Sequence, residues 1–339
     1  MITKSKMFTN DLKRSVSYNL HTTAHNKPHI IVIETTNYCN LNCKMCPRRN
    51  MTRKLEHMKL PLFKKIVDEC HEFAFDIGLD LFGEPLLCPD IFEMIKYAKS
   101  KGVTTSMSTN AVFLTEENGR KILESGLDLL VIDFDGATKK TYEGIRAGAN
   151  YSEVVKNIKN FAGMVQRYRD MHVLTLTKVI IQLIRMKETE PEIKQWIKMW
   201  QYTPFQLYIK RFNTWANQDA KITNLSKTSH RIKDNIERFP CSWLWEQMIF
   251  QSNGNVVPCC LDYDGKLTMG NIKRQSVIDI WNGAAYKALR KAHIDKKYIG
   301  LCKDCTEWKG HQRFRFWEDM KVINSFSMWK NMKGKVVIA

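Results

Sequence analysis

The sequence predicts an α/β fold: six strand–helix units, followed by a small cysteine-rich block. Three observations predict it. Strand-like and helix-like stretches alternate from residue 29 to residue 212. Each helical stretch carries one apolar face. After Phe212 the alternation stops, and short strand-like pieces appear among cysteines.

The six strand candidates are His29–Glu34, Phe75–Leu81, Val103–Ser108, Leu129–Phe134, Lys178–Arg185 and Phe205–Lys210. They are short runs rich in β-branched and aromatic residues. Between them, Leu62, Phe63, Ile66, Val67 and Cys70 share a helix face, as do Ile91, Met94, Ile95 and Ala98. Ile193, Trp196, Ile197 and Trp200 repeat at i, i+3, i+4 and i+7. Strand, helix, strand in regular order means parallel pairing with right-handed crossovers. Six such units build either an open doubly wound sheet or a partial barrel.

Beyond residue 212 the stretch to Phe239 is polar and reads as a linker with some helix. Met248–Gln251 and Asn255–Pro258 flank Asn253-Gly254, a strong hairpin signal. A helix is expected over Ser276–His293, with Val277, Ile280, Trp281, Tyr286 and Leu289 on its faces. The expected organisation is therefore a lead-in at 1–28 with one helical stretch, a main domain at 29–212 and a linker at 213–240. A second domain at 241–305 and a helical tail at 306–339 complete it. The tail carries Phe314, Phe316, Trp317, Phe326 and Trp329, which suit a terminal helix packing on the main domain.

A chain of 339 residues with 44% apolar content buries a sizeable core without difficulty. Its longest apolar stretches, such as Leu129–Ile132, are too short to cross a bilayer. The basic, polar N-terminus lacks the apolar run of a signal peptide, so a cytoplasmic protein is expected. In that compartment ten cysteines point to metal or redox chemistry rather than disulfides. The net charge of +18 is spread along the chain. It fits a generally solvated cationic surface or an anionic substrate. No helix-turn-helix or RNA-binding pattern supports a nucleic-acid partner.

Cys39, Cys43 and Cys46 form a C-x3-C-x2-C segment directly after the first strand candidate. Three thiolates on one tight loop can converge on an iron–sulfur cluster. With four irons and three ligands, one iron stays open, and an open metal position is where chemistry happens. A structural zinc loop is the competing reading of the spacing taken alone.

This segment and its neighbours resemble the radical S-adenosylmethionine superfamily. The resemblance spans about residues 29–305. It implies a partial (β/α)6 barrel with S-adenosylmethionine chelated at the open iron. It also implies a reducing partner such as flavodoxin or ferredoxin. In that family one electron breaks a sulfur–carbon bond of the cofactor, and the resulting 5′-deoxyadenosyl radical abstracts hydrogen from an unactivated carbon. Gly83-Glu84-Pro85 looks like the turn that meets the cofactor's ammonium. Ser108-Thr109-Asn110 is similar to the ribose-contacting turn. Asp133-Phe134-Asp135-Gly136, with Tyr142, Ile145 and Arg146, resembles the family's fourth strand end and following arginine. The resemblance assigns the cofactor to Met45, Gly83, Glu84, Ser108, Asn110, Asp133 and Arg146, with Arg146 pairing with its carboxylate. Three positions depart from the family pattern: Phe82 for a first glycine, Ala111 for the glycine after the asparagine, and Asp133 for serine.

In the second block Cys241 is followed by Gly254-x4-Cys259, and then by Cys302-Lys-Asp-Cys305. Four thiolates complete one closed metal site. The spacing alone does not separate zinc from a four-iron cluster. The block resembles the twitch domain, a truncated SPASM domain, which implies one auxiliary [4Fe-4S] cluster, since no cysteine follows Cys305. Cys260 rivals Cys259, but the G-x4-C spacing favours Cys259. Cys70 and Cys88 read as small packing residues.

A fully ligated auxiliary cluster suits an electron carrier. The expected function is hydrogen abstraction from a small alcohol- or sugar-like substrate, with net oxidation and the auxiliary cluster as electron acceptor. The architecture closely resembles that of dehydrogenases of the 2-deoxy-scyllo-inosamine type. The alternative is a maturase acting on a peptide or protein side chain, and a non-catalytic metal scaffold is a third reading. The sequence identifies no general base.

Overall fold

In a computed structural model of the chain, residues 22–171, 177–226, 238–310 and 335–338 are described. All six predicted strands are present: β1 (Ile30–Ile33), β2 (Asp76–Gly78), β3 (Thr104–Thr109), β4 (Leu129–Asp133), β5 (Lys178–Ile184) and β6 (Gln206–Lys210). They pair in parallel in sequence order. The intervening helices include α1 (Leu60–Cys70), α2 (Ile91–Ser100), α3 (Glu116–Ser125), α4 (Lys139–Ile145), α5 (Tyr151–Asp170) and α6 (Ile193–Trp200). Helix starts are marked by side-chain caps: Thr115 accepts from the Asn118 amide, Thr138 from Thr141 and Asn150 from Glu153.

One face of the sheet is apolar and covered by helices. Ile31, Ile33, Ile77, Met107, Leu130, Ile132, Ile181, Leu183 and Leu207 meet Phe63, Ile66, Met94, Ile122 and Phe161 in the main core. The other face alternates with it. At its lower level Leu129, Val131, Ile180 and Tyr208 form a small cluster of their own. Towards the C-terminal strand ends it becomes polar, with Ser108, Asp133 and Gln182. Six parallel strands paired in chain order, with helices on the apolar face, are the arrangement of a partial barrel.

The second block does not stand apart from this sheet. β7 (Gln247–Phe250) pairs in parallel with β1 on the side opposite β2, and β8 (Asn255–Val257) and β9 (Gly270–Asn271) continue antiparallel. With β10 (Val336–Ile338) at one edge, the strand order is β10-β6-β5-β4-β3-β2-β1-β7-β8-β9. The predicted hairpin is present, and Gly254 takes φ 87° at its turn, a conformation open to glycine.

Three expectations are corrected or bounded. The single helix over Ser276–His293 is two helices, α8 (Val277–Trp281) and α9 (Ala284–Ile294); α7 is the short Ala220–Thr223. The break falls at Asn282-Gly283, both poor helix formers, where the Asn282 side chain bonds the Ala24 backbone N–H (3.0 Å) and C=O (3.1 Å). The described end of the tail is a strand, β10 (Val336–Ile338), parallel to β6. The helices expected in the lead-in and the tail fall on residues 1–21 and 311–334, outside the described residues. None of the described helices is long and apolar enough to cross a membrane.

Candidate active site

The first cysteine loop leaves β1 through Glu34, whose buried carboxylate takes a bidentate contact from Arg53 (2.7 and 2.9 Å) and two bonds from Ser252. The loop then lies against the end of α4: Asn42 and Lys44 donate their amides to Ala147 and Ile145. Leu41, Cys43 and Met45 pack with Ile145, Met186, Phe212 and Ile222. The cysteine side chains are thus held by backbone ladders and apolar contacts. All ten cysteines are free of disulfides. Burial pushes the Cys43 thiol up to about 12 and raises Cys39 and Cys46 as well. Buried thiols of this kind become thiolates only with a strong local positive charge, which a metal centre supplies.

The Gly83-Glu84-Pro85 turn is fixed by close approach to the cysteine loop. A Cβ on Gly83 would lie 2.2 Å from the Thr36 carbonyl oxygen and 2.8 Å from that of Tyr38. The Glu84 amide donates to Tyr38 O at 2.8 Å. The Glu84 side chain is 2% exposed and accepts from Thr109 Oγ1 (2.7 Å), the Asn110 amide (2.8 Å) and the Leu86 amide (3.3 Å). Burial nonetheless pushes it up to about 7, with the Asp133 charge adding to the rise. A cation bound at its remaining acceptor positions reverses that shift.

Asn110 reaches the same loop, with Nδ2 3.0 Å from Asn40 Oδ1 and 3.9 Å from Cys39 Sγ. The residue after it, Ala111, takes φ 61°, the left-handed conformation that suits the glycine of the family pattern. The Ser108 amide donates to Asp80 Oδ1 (2.9 Å), and burial pushes the Asp80 carboxyl up to about 6. Asp133 is bonded by Gln182 Nε2, directly opposite it on β5.

Arg146 has a buried partner within the protein. Its guanidinium bonds Asp135 through Nε (2.8 Å) and Nη2 (2.5 Å), with Asp133 3.9 Å away. Asp135 also accepts from the Ile184 amide at 2.6 Å. Among the described residues, Asp135 is thus the main partner of Arg146. Sequence reasoning quoted Asp135 without giving it a role. Its place two residues beyond Asp133, on the same face of an extended strand end, was the available signal. Glu192, also missed, accepts from the Ala137 and Thr138 amides and from the Thr138 and Thr141 hydroxyls, fixing the start of α4.

Cys241, Cys259, Cys302 and Cys305 line one small cavity, with Arg238, His293 and Trp308 around them. Its walls are tied down by the Cys241 amide, which donates to His293 Nδ1 (3.2 Å), and by Arg238, which donates to the Lys303 and Cys302 carbonyls. Burial raises all four thiols, Cys302 to about 12. A four-iron cluster takes each thiolate on a separate iron. The donor set and the cavity fit such a cluster. Cys260 hydrogen-bonds the Cys259 side chain and faces the charges of Lys210 and Glu307 instead. Cys70 and Cys88 sit in the main core.

A strained turn links the two cysteine loops. Trp215, Ala216 and Asn217 have φ of 54°, 59° and 58°, three left-handed residues in a row without a glycine. Trp215 Nε1 donates to Met45 O (2.8 Å), beside Cys46, and Asn217 Nδ2 to Asp304 O (2.8 Å), beside Cys305. Thr214 donates twice to Glu307.

Residues 33–177 match the profile of the radical SAM superfamily, and residues 241–306 that of SPASM, an iron–sulfur cluster-binding domain. The chain carries a radical SAM domain followed by a SPASM domain and is an enzyme; its cofactors are S-adenosylmethionine and iron–sulfur clusters. It is 25% identical over 289 residues to the S-adenosyl-L-methionine-dependent 2-deoxy-scyllo-inosamine dehydrogenase of Niallia circulans, covering 82% of this chain and 92% of that one. It is 23% identical over 320 residues to the tungsten-containing aldehyde ferredoxin oxidoreductase cofactor-modifying protein of Pyrococcus furiosus, covering 81% and 86%. Among solved structures, BtrN in complex with AdoMet and 2-DOIA matches with TM-score 0.55 at 21% identity, over 82% of this chain and 93% of that one. Streptococcus suis SuiB bound to S-adenosylmethionine matches with TM-score 0.64 at 16% identity, over 90% and 78%. Both likenesses show the shared fold.

Proposed function

We propose that this enzyme oxidises a small alcohol- or sugar-like substrate, with Cys39, Cys43 and Cys46 holding the cofactor-binding [4Fe-4S] cluster and Cys241, Cys259, Cys302 and Cys305 one auxiliary cluster. The observation that carries this reading is the second cavity: four cysteines line it, so every iron of one cluster has a protein ligand. Such a centre has no open position for substrate and suits electron transfer. The dehydrogenase relative, matched over 92% of its length, supports a net oxidation of a small molecule.

When bound, the cluster and S-adenosylmethionine supply the hydrogen-abstracting radical, and the auxiliary centre accepts the electron that a net oxidation releases. The chain's own groups bind and orient. Glu84 offers a buried carboxylate to the cofactor's ammonium. Gly83 lets that turn sit against the cysteine loop. Ser108, Asn110 and Asp133 line the inner strand ends where ribose and substrate hydroxyls are to be held. Asp135 orients Arg146, whose charge acts on all three thiols and would pair with the cofactor carboxylate. Met45 packs beneath the loop. The domain division at 29–212 and 241–305 follows these two cysteine sets, within one continuous sheet. A cytoplasmic setting with a flavodoxin or ferredoxin reductant suits such thiol-held centres.

The test is anaerobic reconstitution, then incubation with S-adenosylmethionine, dithionite and candidate polyols deuterated at the carbinol carbon. Deuterium in 5′-deoxyadenosine together with a ketone product supports the reading. Transfer of deuterium only from peptide substrates would replace it with the maturase reading.

A further inference from the structure

The cysteine loop has an outer flank that the site above does not use. Residues 54–57 run beside residues 36 and 37. Thr36 and His57 form a bridge, the Asn37 amide donates to Glu56 O (3.3 Å) and Asn37 Nδ2 to Lys54 O (2.8 Å). The Glu56 amide donates back to Asn37 Oδ1 at 2.7 Å. Against this ladder lies a half-open hollow of about 350 Å³ lined by Tyr38, Lys54, Leu55, His57, Lys59 and Lys273.

Its make-up is that of a docking surface. Tyr38 and Leu55 are 38% and 40% exposed, among the most exposed large apolar side chains described. The Tyr38 ring packs on His57 at 4.7 Å, so it is presented rigidly. Around this apolar centre stand three lysines, and among the described residues none of them is ion-paired; Glu56 is the one carboxylate in the lining. An aromatic centre with a rim of unpaired cations fits an acidic protein surface. The net charge of +18 steers such a partner towards the chain. Position selects the kind of partner. Tyr38 lines the hollow and its next residue is Cys39, so whatever docks there lies against the backbone of the first cysteine loop.

We propose that this hollow docks an acidic electron-carrier protein of the flavodoxin or ferredoxin kind, which reduces the cluster held by Cys39, Cys43 and Cys46. The inference rests on the reading of those cysteines given above. One electron leaves the carrier's flavin or iron–sulfur centre and one enters the cluster; no bond is made or broken.

The test compares the cluster-loaded parent with the Lys54→Glu/Lys59→Glu/Lys273→Glu variant of the full chain. Calorimetric titration with an acidic bacterial flavodoxin, and in parallel an acidic ferredoxin, reads binding directly. At least one carrier is expected to bind the parent, with affinity falling as salt rises, and to lose at least tenfold in affinity for the variant. Cofactor cleavage driven by that carrier falls at least tenfold, while cleavage driven by dithionite stays within twofold. Should charge reversal impair folding, the Lys→Gln triple variant replaces it, with a loss of threefold or more expected. Lysine-independent binding of both carriers would overturn the proposal. So would tight binding of inorganic pyrophosphate in the hollow that leaves carrier binding unchanged, because the lysines would then serve a small anion. Lysine-dependent carrier binding supports the docking site even in a preparation that cleaves no cofactor with dithionite, an outcome that counts against the proposed reaction alone.

Discussion

Gly83 has no room for a side chain: a methyl group there would overlap the Thr36 carbonyl oxygen, and backbone cannot rotate away as a flexible side chain does. Gly83→Ala is expected to destabilise the protein by about 2 kcal/mol or more and to lower iron retention in the first loop, read by urea unfolding and iron counting. Asp135 and Arg146 form a buried pair, and removing one charge strands the other. Asp135→Asn is expected to cost about 3 kcal/mol and to weaken cofactor binding, measured by unfolding and by titration with S-adenosylmethionine. Glu84 gives a pH signature. Its folded-state value of about 7 lies above the ordinary 4.5. Between those values the cofactor-free folded protein keeps a proton that the unfolded chain has released. Stability is therefore lost as pH rises from 4.5 to 7, by an amount on the order of 3 kcal/mol. Glu84→Gln removes that component, so unfolding curves at pH 5.5 and 8 should differ less for the variant than for the parent. At this scale the sequence showed which residues cluster at the strand ends but not how they bond. Gly83 was legible as part of the Gly-Glu-Pro turn, but not that the Thr36 backbone lies against it. Arg146 was legible as a site cation, yet its carboxylate partner emerges only when Asp135 and the α4 end are brought together in space.

The element that most constrains the site is the left-handed turn at Trp215–Asn217. Each such residue costs on the order of 1 kcal/mol or more, and the turn persists because bonds at both ends fix it to the two cysteine loops. Asn217→Ala removes the bond to Asp304 while keeping an unfavourable conformation. It is expected to cost about 1–2 kcal/mol and to release auxiliary-site iron before first-site iron, followed by chelator challenge. The linker reading of 213–240 foresaw no such turn, since no glycine or Asn-Gly pair marks it and its strain is imposed by tertiary contacts. The strands and helices of the main domain were legible because burial on one face writes a period of 2 or 3.6 into the chain. The α8–α9 break was missed because Val277, Ile280, Trp281, Tyr286 and Leu289 stay buried on both sides of it, so the apolar pattern runs across. The three residues of β10 are too few for any period to register.

In the molecule as a whole, one sheet carries both cysteine sets, with β7 extending the barrel sheet on the outer side of β1. The first cysteine loop follows β1 directly, and the second set includes Cys241 just before β7 and Cys259 just after β8, so the β1–β7 pairing fixes one site relative to the other. The sequence divided the two by a linker and foresaw the hairpin, but pairing between strands more than two hundred residues apart leaves no local trace. Two clusters would give about eight irons per chain. Cys259→Ser is expected to reduce that by about four, whereas Cys260→Ser, outside the proposed ligand set, is expected to leave it unchanged. The central claim is that three thiolates leave one iron to bind the sulfonium cofactor. Formation of 5′-deoxyadenosine from S-adenosylmethionine and dithionite by the anaerobically reconstituted parent, beside its Cys39→Ala/Cys43→Ala/Cys46→Ala variant, tests this most directly. The account predicts product from the parent and none above background from the variant; equal yields from both, or a fully iron-loaded parent that forms none, would contradict it.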